Sequence, residues 1–206
     1  MTRGFRRARG DVRARLHDDE RRVLRDVFTE VHDLLKDPAD AEPAEQDPLA
    51  ALVGIGTAAR PPEDPALARL LPDAHKDDPE ASAEFRRYTE SGLRARKRSG
   101  LRVALDTLDR PAPLRLDDAE ARAWLVALTD VRLVLAERIG LRTDHDHALL
   151  EQVAARLADE DASSEDPAAG AGRRLALTLA LYDFLAWLQE TLVEAMAAAL
   201  PEEPGH

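Results

Sequence analysis

Cysteine is absent from all 206 residues, and no other feature of the chain excludes as much function. A disulfide scaffold, an iron–sulfur cluster, a thiolate zinc site, a cysteine nucleophile and a thiol redox switch all need that sulfur. Aromatic residues are also scarce, at 4 % of the chain. Lysine occurs only as Lys36, Lys76 and Lys97, so 26 of the 29 basic residues are arginine. With abundant alanine, that bias is the mark of a GC-rich genome, and part of the arginine content reflects codon usage. No wholly apolar run approaches the ~18–20 residues that span a bilayer, and no apolar signal-peptide core follows the Arg-rich start. The expectation is a soluble, cytoplasmic protein with no membrane partner.

What the chain does have is length, apolar content and segregated charge. Its 206 residues, 44 % of them hydrophobic, suit one domain with a substantial core. The formal charge is −11, yet two islands are basic. Residues 1–25 hold nine arginines against four acids, and residues 86–102 hold seven basic residues against Glu90. An acidic body with two basic islands is a polarised surface.

Periodicity predicts an all-α bundle of about six or seven helices with a small N-terminal β-hairpin over residues 1–16. Phe5–Ala8 and Val12–Leu16 flank Arg9-Gly10-Asp11, and Val12, Ala14 and Leu16 alternate with Arg13 and Arg15, the period-2 signature of a half-buried strand. A helix starts at Asp18 or Asp19 and carries Val23, Leu24, Val27, Phe28, Val31, Leu34 and Leu35 on one stripe. Residues 37–47 form a flexible acidic loop. Asp47-Pro48, Asp64-Pro65 and Asp78-Pro79 each open a helix with proline at its first position; the first carries Leu49, Leu52, Val53 and Ile55, and the third is long, with a break expected near Ser99-Gly100. Asp117 and Glu120 form a capping box for a helix through Trp124 and Leu135, closed by Gly140. Thr143 or Asp144 caps the next helix, residues 159–172 form a second flexible acidic loop, and Arg173–Leu200 is the most apolar helix, read as buried on most sides and compatible with a monomer core or a dimer seam.

Enzyme signatures are thin. There is no nucleophile elbow, Walker loop or dinucleotide fingerprint, and Gly54-Ile55-Gly56 lacks the third glycine and the preceding strand. His145-Asp146-His147 has metal-ligand chemistry, but on a helix residues i and i+2 lie ~200° apart, so no metal or cofactor is expected. Asp183, between Tyr182 and Phe184, reads as a buried carboxylate paired with Arg132 or Arg138, the alternative being a catalytic acid in a concave pocket. The best contact surface is the second basic island: Arg86, Arg87, Arg94, Arg96, Lys97, Arg98 and Arg102. On a helix, Arg87, Arg94 and Arg98 fall on one stripe that could follow phosphates. The alternatives are a match to the chain's own acidic segments or a solvated face.

Several blocks, in order, carry a resemblance. They are Asp47-Pro48-Leu49 with Leu52-Val53-Gly54-Ile55; Asp64-Pro65-Ala66-Leu67 with Arg69 to Ala74; Glu84-Phe85-Arg86-Arg87 with Thr89-Glu90 and Leu93-Arg94; Trp124-Leu125 with Leu128 to Leu135 and Arg138; and Tyr182-Asp183-Phe184-Leu185 with Leu188-Gln189-Glu190 and Leu192-Val193. Together they resemble an actinobacterial domain-of-unknown-function family that includes the oxidative-stress transcriptional regulator AosR. The resemblance implies a helical cytoplasmic protein without enzymatic activity and with a role in transcription regulation. Family members tend to lie near the gene for the ClpS proteolytic adaptor, which implies as the alternative a protein–protein adaptor linked to proteolysis. The partner is therefore DNA or another protein. One departure stands out: a regulator sensing oxidant through thiols needs cysteine, and this chain has none.

Overall fold

The computed structural model describes residues 2–36, 60–75, 77–162 and 170–198. The segment 37–47 and the apolar stretch after Pro48 lie outside them. The N-terminal strands form as expected: β1 (Arg3–Ala8) and β2 (Asp11–Arg15) pair antiparallel with Arg6 opposite Arg13 and Ala8 opposite Asp11. Arg9 and Gly10 turn the chain at φ 55° and 88°; positive φ at both central residues is what the right-handed twist of a two-residue hairpin requires. The hairpin is, however, part of a larger sheet. A third strand, β3 (Leu114–Leu116), pairs with β2 and places Val12 opposite Leu116 and Ala14 opposite Leu114. Three residues are too few to show a periodic pattern. Phe5, Val12, Ala14, Leu114 and Leu116 are all buried on the inner face, which supplies the apolar cover a two-stranded ribbon lacks.

Six helices follow among the described residues. Helix α1 (Asp18–Leu34) starts with three acids in its first turn and buries Leu24, Val27, Phe28 and Val31, whereas Val23, at the edge of that stripe, is exposed. Helix α2 (Pro65–Leu70) is capped by Asp64, which accepts from the Ala66 and Leu67 amides at 2.8 and 3.4 Å. Helix α3 (Pro79–Leu108) is capped by Asp78. It runs thirty residues without the break expected at Ser99-Gly100. A mid-helix glycine costs only ~1 kcal/mol, and burial of Leu101, Ala104 and Leu108 just beyond it outweighs that.

Helix α4 (Asp118–Ile139) has its capping box, Glu120 N–H to Asp117 at 2.8 Å and Asp117 N–H to Glu120 at 3.1 Å, and Gly140 ends it in the left-handed conformation. It carries the centre of the core. Trp124 is fully buried, edge-on to Phe5 and Phe28 at 5.5 and 5.3 Å, and donates its indole N–H to Thr107 Oγ1 at 2.7 Å. Helix α5 (Asp144–Ala162) and helix α6 (Ala171–Ala197) both extend into residues 159–172, expected to be a loop. The two helices touch backbone to backbone at Gly172, where a Cβ would lie 2.2 Å from the Ala158 nitrogen. Helix α6 is not buried on most sides. It turns Leu179, Leu185, Leu188, Leu192 and Ala195 inward, while Leu177 and Trp187 are exposed; α4, not α6, is central. No helix among the described residues is long and apolar enough to cross a membrane.

Candidate functional site

Helix α3 carries the second basic island, and its 3.6-residue turn divides those side chains into two sets. Arg86, Glu90 and Arg94 lie at successive i, i+4 positions on the inner face, each about one-twentieth exposed. Glu90 accepts from Arg86 at 2.5 Å and from Arg94 Nε at 2.8 Å. Arg86 also donates to Asp73 at 2.7 Å and to the Leu71 carbonyl at 3.1 Å, just past α2. Arg94 donates to the Lys36 carbonyl, just past α1, at 3.3 Å. Burial alone would lower the Arg86 pKa, but its hydrogen bonds to Asp73 and Glu90 outweigh that and raise it. The two arginines thus hold the C-terminal ends of α1 and α2 against α3. Lys97 is spent in the same way, on Asp130 of α4 at 2.5 Å.

The stripe of Arg87, Arg94 and Arg98 is therefore not a free basic face, because Arg94 points inward. Arg87, Arg96 and Arg102 are exposed, and Arg98 is half-buried. Phe85 and Tyr88 join them on the surface, 50 % and 58 % exposed. Phe85, Tyr88 and Arg96 occupy positions i, i+3 and i+11, one stripe of the helix. Aromatic side chains beside arginine on an open helix face are the composition that anchors macromolecular contacts.

The buried carboxylate that sequence placed at Asp183 is instead Asp130, which is 1 % exposed. Burial pushes its carboxyl up, opposed by Lys97. Asp183 is 55 % exposed and pairs with His147 Nε2 at 2.9 Å, not with Arg132 or Arg138. Arg138 pairs with Asp64 at 2.7 Å. Arg132 donates to Gln189 at 2.7 Å and to the Tyr182 hydroxyl at 3.0 Å, lying over the Tyr182 ring. Arg132, Arg142, His147, Tyr182 and Asp183 line an open cleft of about 470 Å³. The cleft is polar and of mixed charge, since Arg132 and His147 already have partners there and Asp183 adds a carboxylate. Thr143, the remaining hydroxyl on its wall, is used as a helix cap, accepting from the Asp146 amide at 3.3 Å. Asp146 in turn accepts from the Arg142 and Thr143 amides, which hold its carboxyl below the ordinary range. His145 and His147 do not converge, and among the described residues no group of His, Asp and Glu could hold a metal ion.

The pairing of His147 with Asp183, 36 residues apart, had no local signal. The arginines of the N-terminal sheet did, in the excess of positive charge over residues 1–25.

A family model described as "Domain of unknown function (DUF2017)" matches residues 2–196. A Mycobacterium leprae protein, provisionally named oxidative stress regulator AosR, is 35 % identical over 168 residues, covering 74 % of this chain and 68 % of that protein. Proteins of Mycobacterium tuberculosis and Mycobacterium bovis named oxidative stress regulator AosR are each 33 % identical over 138 residues. Those alignments cover 60 % of this chain and 62 % of each relative, so the chain spans less than two thirds of the length of these two proteins. No solved structure is a significant match. With a family model covering nearly its whole length and relatives at this level of identity, the chain belongs to the DUF2017 family.

Proposed function

We propose that this chain is a non-catalytic, cytoplasmic regulator of transcription in a stress response. It acts by contact through the exposed face of α3 and without thiol sensing. The observation that carries this reading is the Phe85, Tyr88 and Arg96 stripe, with Arg102 also exposed and Arg87 exposed on another side of the helix, on a chain whose relatives are named as oxidative stress regulators. Arg86, Arg94 and Lys97 serve this surface indirectly, by fixing α3 against α1, α2 and α4. Thiol chemistry has no place here because the 206 residues contain no cysteine.

The test is transcript profiling after peroxide in a strain lacking the gene, complemented with wild type or with Tyr88→Ala/Arg96→Ala. Both side chains are exposed, so the double variant should melt within a degree or two of wild type. Wild type is expected to restore the response and the variant to leave it unrestored at equal protein level. Full complementation by the variant removes α3 from the reading. A second reading, a protein adaptor linked to proteolysis, draws on the same exposed aromatics, which suit a protein partner better than a phosphate backbone. It takes precedence if deletion leaves transcripts unchanged and lengthens protein half-lives.

A further inference from the structure

The outer face of the N-terminal sheet stands apart from α3. On β2 and β3 strand alternation turns Val12, Ala14, Leu114 and Leu116 inward and Arg13, Arg15 and Arg115 outward. On β1 Arg6 shares the outer side through its register with Arg13, an irregularity between Arg3 and Arg6 brings Arg3 opposite Arg15, and Arg7, opposite Val12, pairs with Asp118 instead. The register brings them side by side: Arg3 is opposite Arg15, Arg6 is opposite Arg13, and Arg13 is opposite Arg115. Three arginines thus form a row across three strands. Directly opposed residues on one sheet face have Cβ atoms about 4.5–5.5 Å apart, and like charges there are destabilising.

One carboxylate relieves this face. Asp11 pairs with Arg13 at 3.0 Å, and among the described residues no carboxylate pairs with Arg3, Arg6, Arg15 or Arg115. The chain has 40 acids, so arginine-rich coding does not explain why acids are missing here. Arg3, Arg6, Arg13 and Arg15 also wall a hollow of about 100 Å³. The Arg13 Nε–H is buried and has no hydrogen-bond partner. Such a face has donors in a fixed array and lacks an anion to accept from them.

We propose that the outer face of this sheet binds the phosphate backbone of nucleic acid, through Arg3, Arg6, Arg15 and Arg115, with Arg13 at the centre of the row. A chain of phosphates fits better than a single anion, because one anion would leave most of the row uncompensated. It fits better than an acidic protein segment because the hollow between these arginines has no aromatic side chain and only Pro113 and Ala14 as apolar wall, where protein interfaces use large aromatic anchors at their centre. Phosphate contacts need only charge and N–H donors, and guanidinium forks match phosphate oxygens in pairs. With no group placed to read base edges, binding is independent of sequence.

The test is fluorescence anisotropy of the full chain with a labelled mixed-sequence DNA duplex between 50 and 200 mM salt. Four phosphate contacts predict an affinity falling about 100-fold over that range. Arg6→Thr/Arg15→Thr/Arg115→Thr should weaken binding and reduce the log–log salt slope by about three, and its melting temperature should equal or exceed that of wild type once the opposed charges are gone. The lysine triple variant at the same positions should keep most of the slope, which separates charge from folding. Tyr88→Ala/Arg96→Ala should bind DNA as wild type does, so failure of this proposal and failure of the α3 reading are distinguishable. Absence of binding at 50 mM salt, or a slope unchanged in the threonine variant, overturns the proposal. Displacement of the duplex by poly-glutamate at equal charge concentration also overturns it, and assigns the face to an acidic protein.

Discussion

At position 9 the chain turns through a φ of 55°, where the Cβ of an arginine crowds its own backbone and asparagine or glycine sits more easily. Arg9→Asn is expected to stabilise the protein by about 0.5–1 kcal/mol, seen as a rise of ~1–3 °C in the calorimetric midpoint; an unchanged or lower midpoint contradicts this. Asp130 presents the opposite case. Its Oδ2 has no partner, and Lys97 holds its Oδ1. Removing the lysine by Lys97→Met leaves a buried, unpaired carboxylate, a loss of about 3 kcal/mol at neutral pH. A carboxyl whose folded pKa is raised stabilises most below its unfolded value of ~3.9 and loses that contribution as pH rises through the folded value. Without Lys97 nothing opposes the rise, so the deficit should shrink as the pH falls from 7 to 5. Urea unfolding at the two pH values checks it, and a pH-independent deficit sinks it. Neither Asp130 nor Asp183 was distinguishable by its neighbours in sequence. Both follow and precede residues that can be buried, and only the rotational phase of each helix against its partners decides which carboxylate turns inward.

Among the elements, helix boundaries were the most legible feature. Asp64, Asp78, Asp117, Thr143 and Gly140 act within four residues of themselves, so their meaning is contained in the local chain. β3 was not legible, because a three-residue strand is defined by what lies beside it. The continuity of α3 past Gly100 departs from expectation for a related reason: the glycine is a local signal for a break, and the burial that overrides it comes from α1 and α4. Helix α3 also depends on Glu90, which compensates two buried arginines. Glu90→Ala is expected to cost about 3–5 kcal/mol. Because Arg86 and Arg94 hold the ends of α2 and α1, amide exchange near Leu71 and Lys36 should accelerate more than exchange around Trp124. Uniform acceleration throughout would instead mean that the network has no local clamping role.

For the whole molecule, the carboxylates set the response to acid. Arg7 holds Asp118 below its ordinary range, Lys36 and His32 hold Asp33 there, and for Asp64 the hydrogen bonds from Arg138 and two amides outweigh burial. Groups with depressed folded pKa values stabilise above their unfolded value of ~3.9, and that stability disappears as pH falls through the folded values. The thermal midpoint should therefore drop below pH 4; among the described carboxylates Asp130 has the opposite shift, and its contribution grows only while the pH falls toward ~3.9. A midpoint that climbs below pH 4 contradicts this, because Asp130 is protonated in both folded and unfolded chains there.

By itself the sequence determined the class of the protein: helical, with paired N-terminal strands, with no cysteine among its 206 residues, and carrying two arginine-rich segments. It could do so because caps, periodicity and composition are local properties. Tertiary structure decided which arginines are available. Helix α3 turns Arg86 and Arg94 toward its own Glu90, toward Asp73 and toward the Leu71 and Lys36 carbonyls, whereas among the described residues Arg3, Arg6, Arg15 and Arg115 of the sheet pair with no carboxylate. Charge content belongs to the chain, but whether a charge is spent inside or offered outside depends on how each helix or strand is turned against its neighbours, which bring partners such as Asp73 and the Lys36 carbonyl to α3.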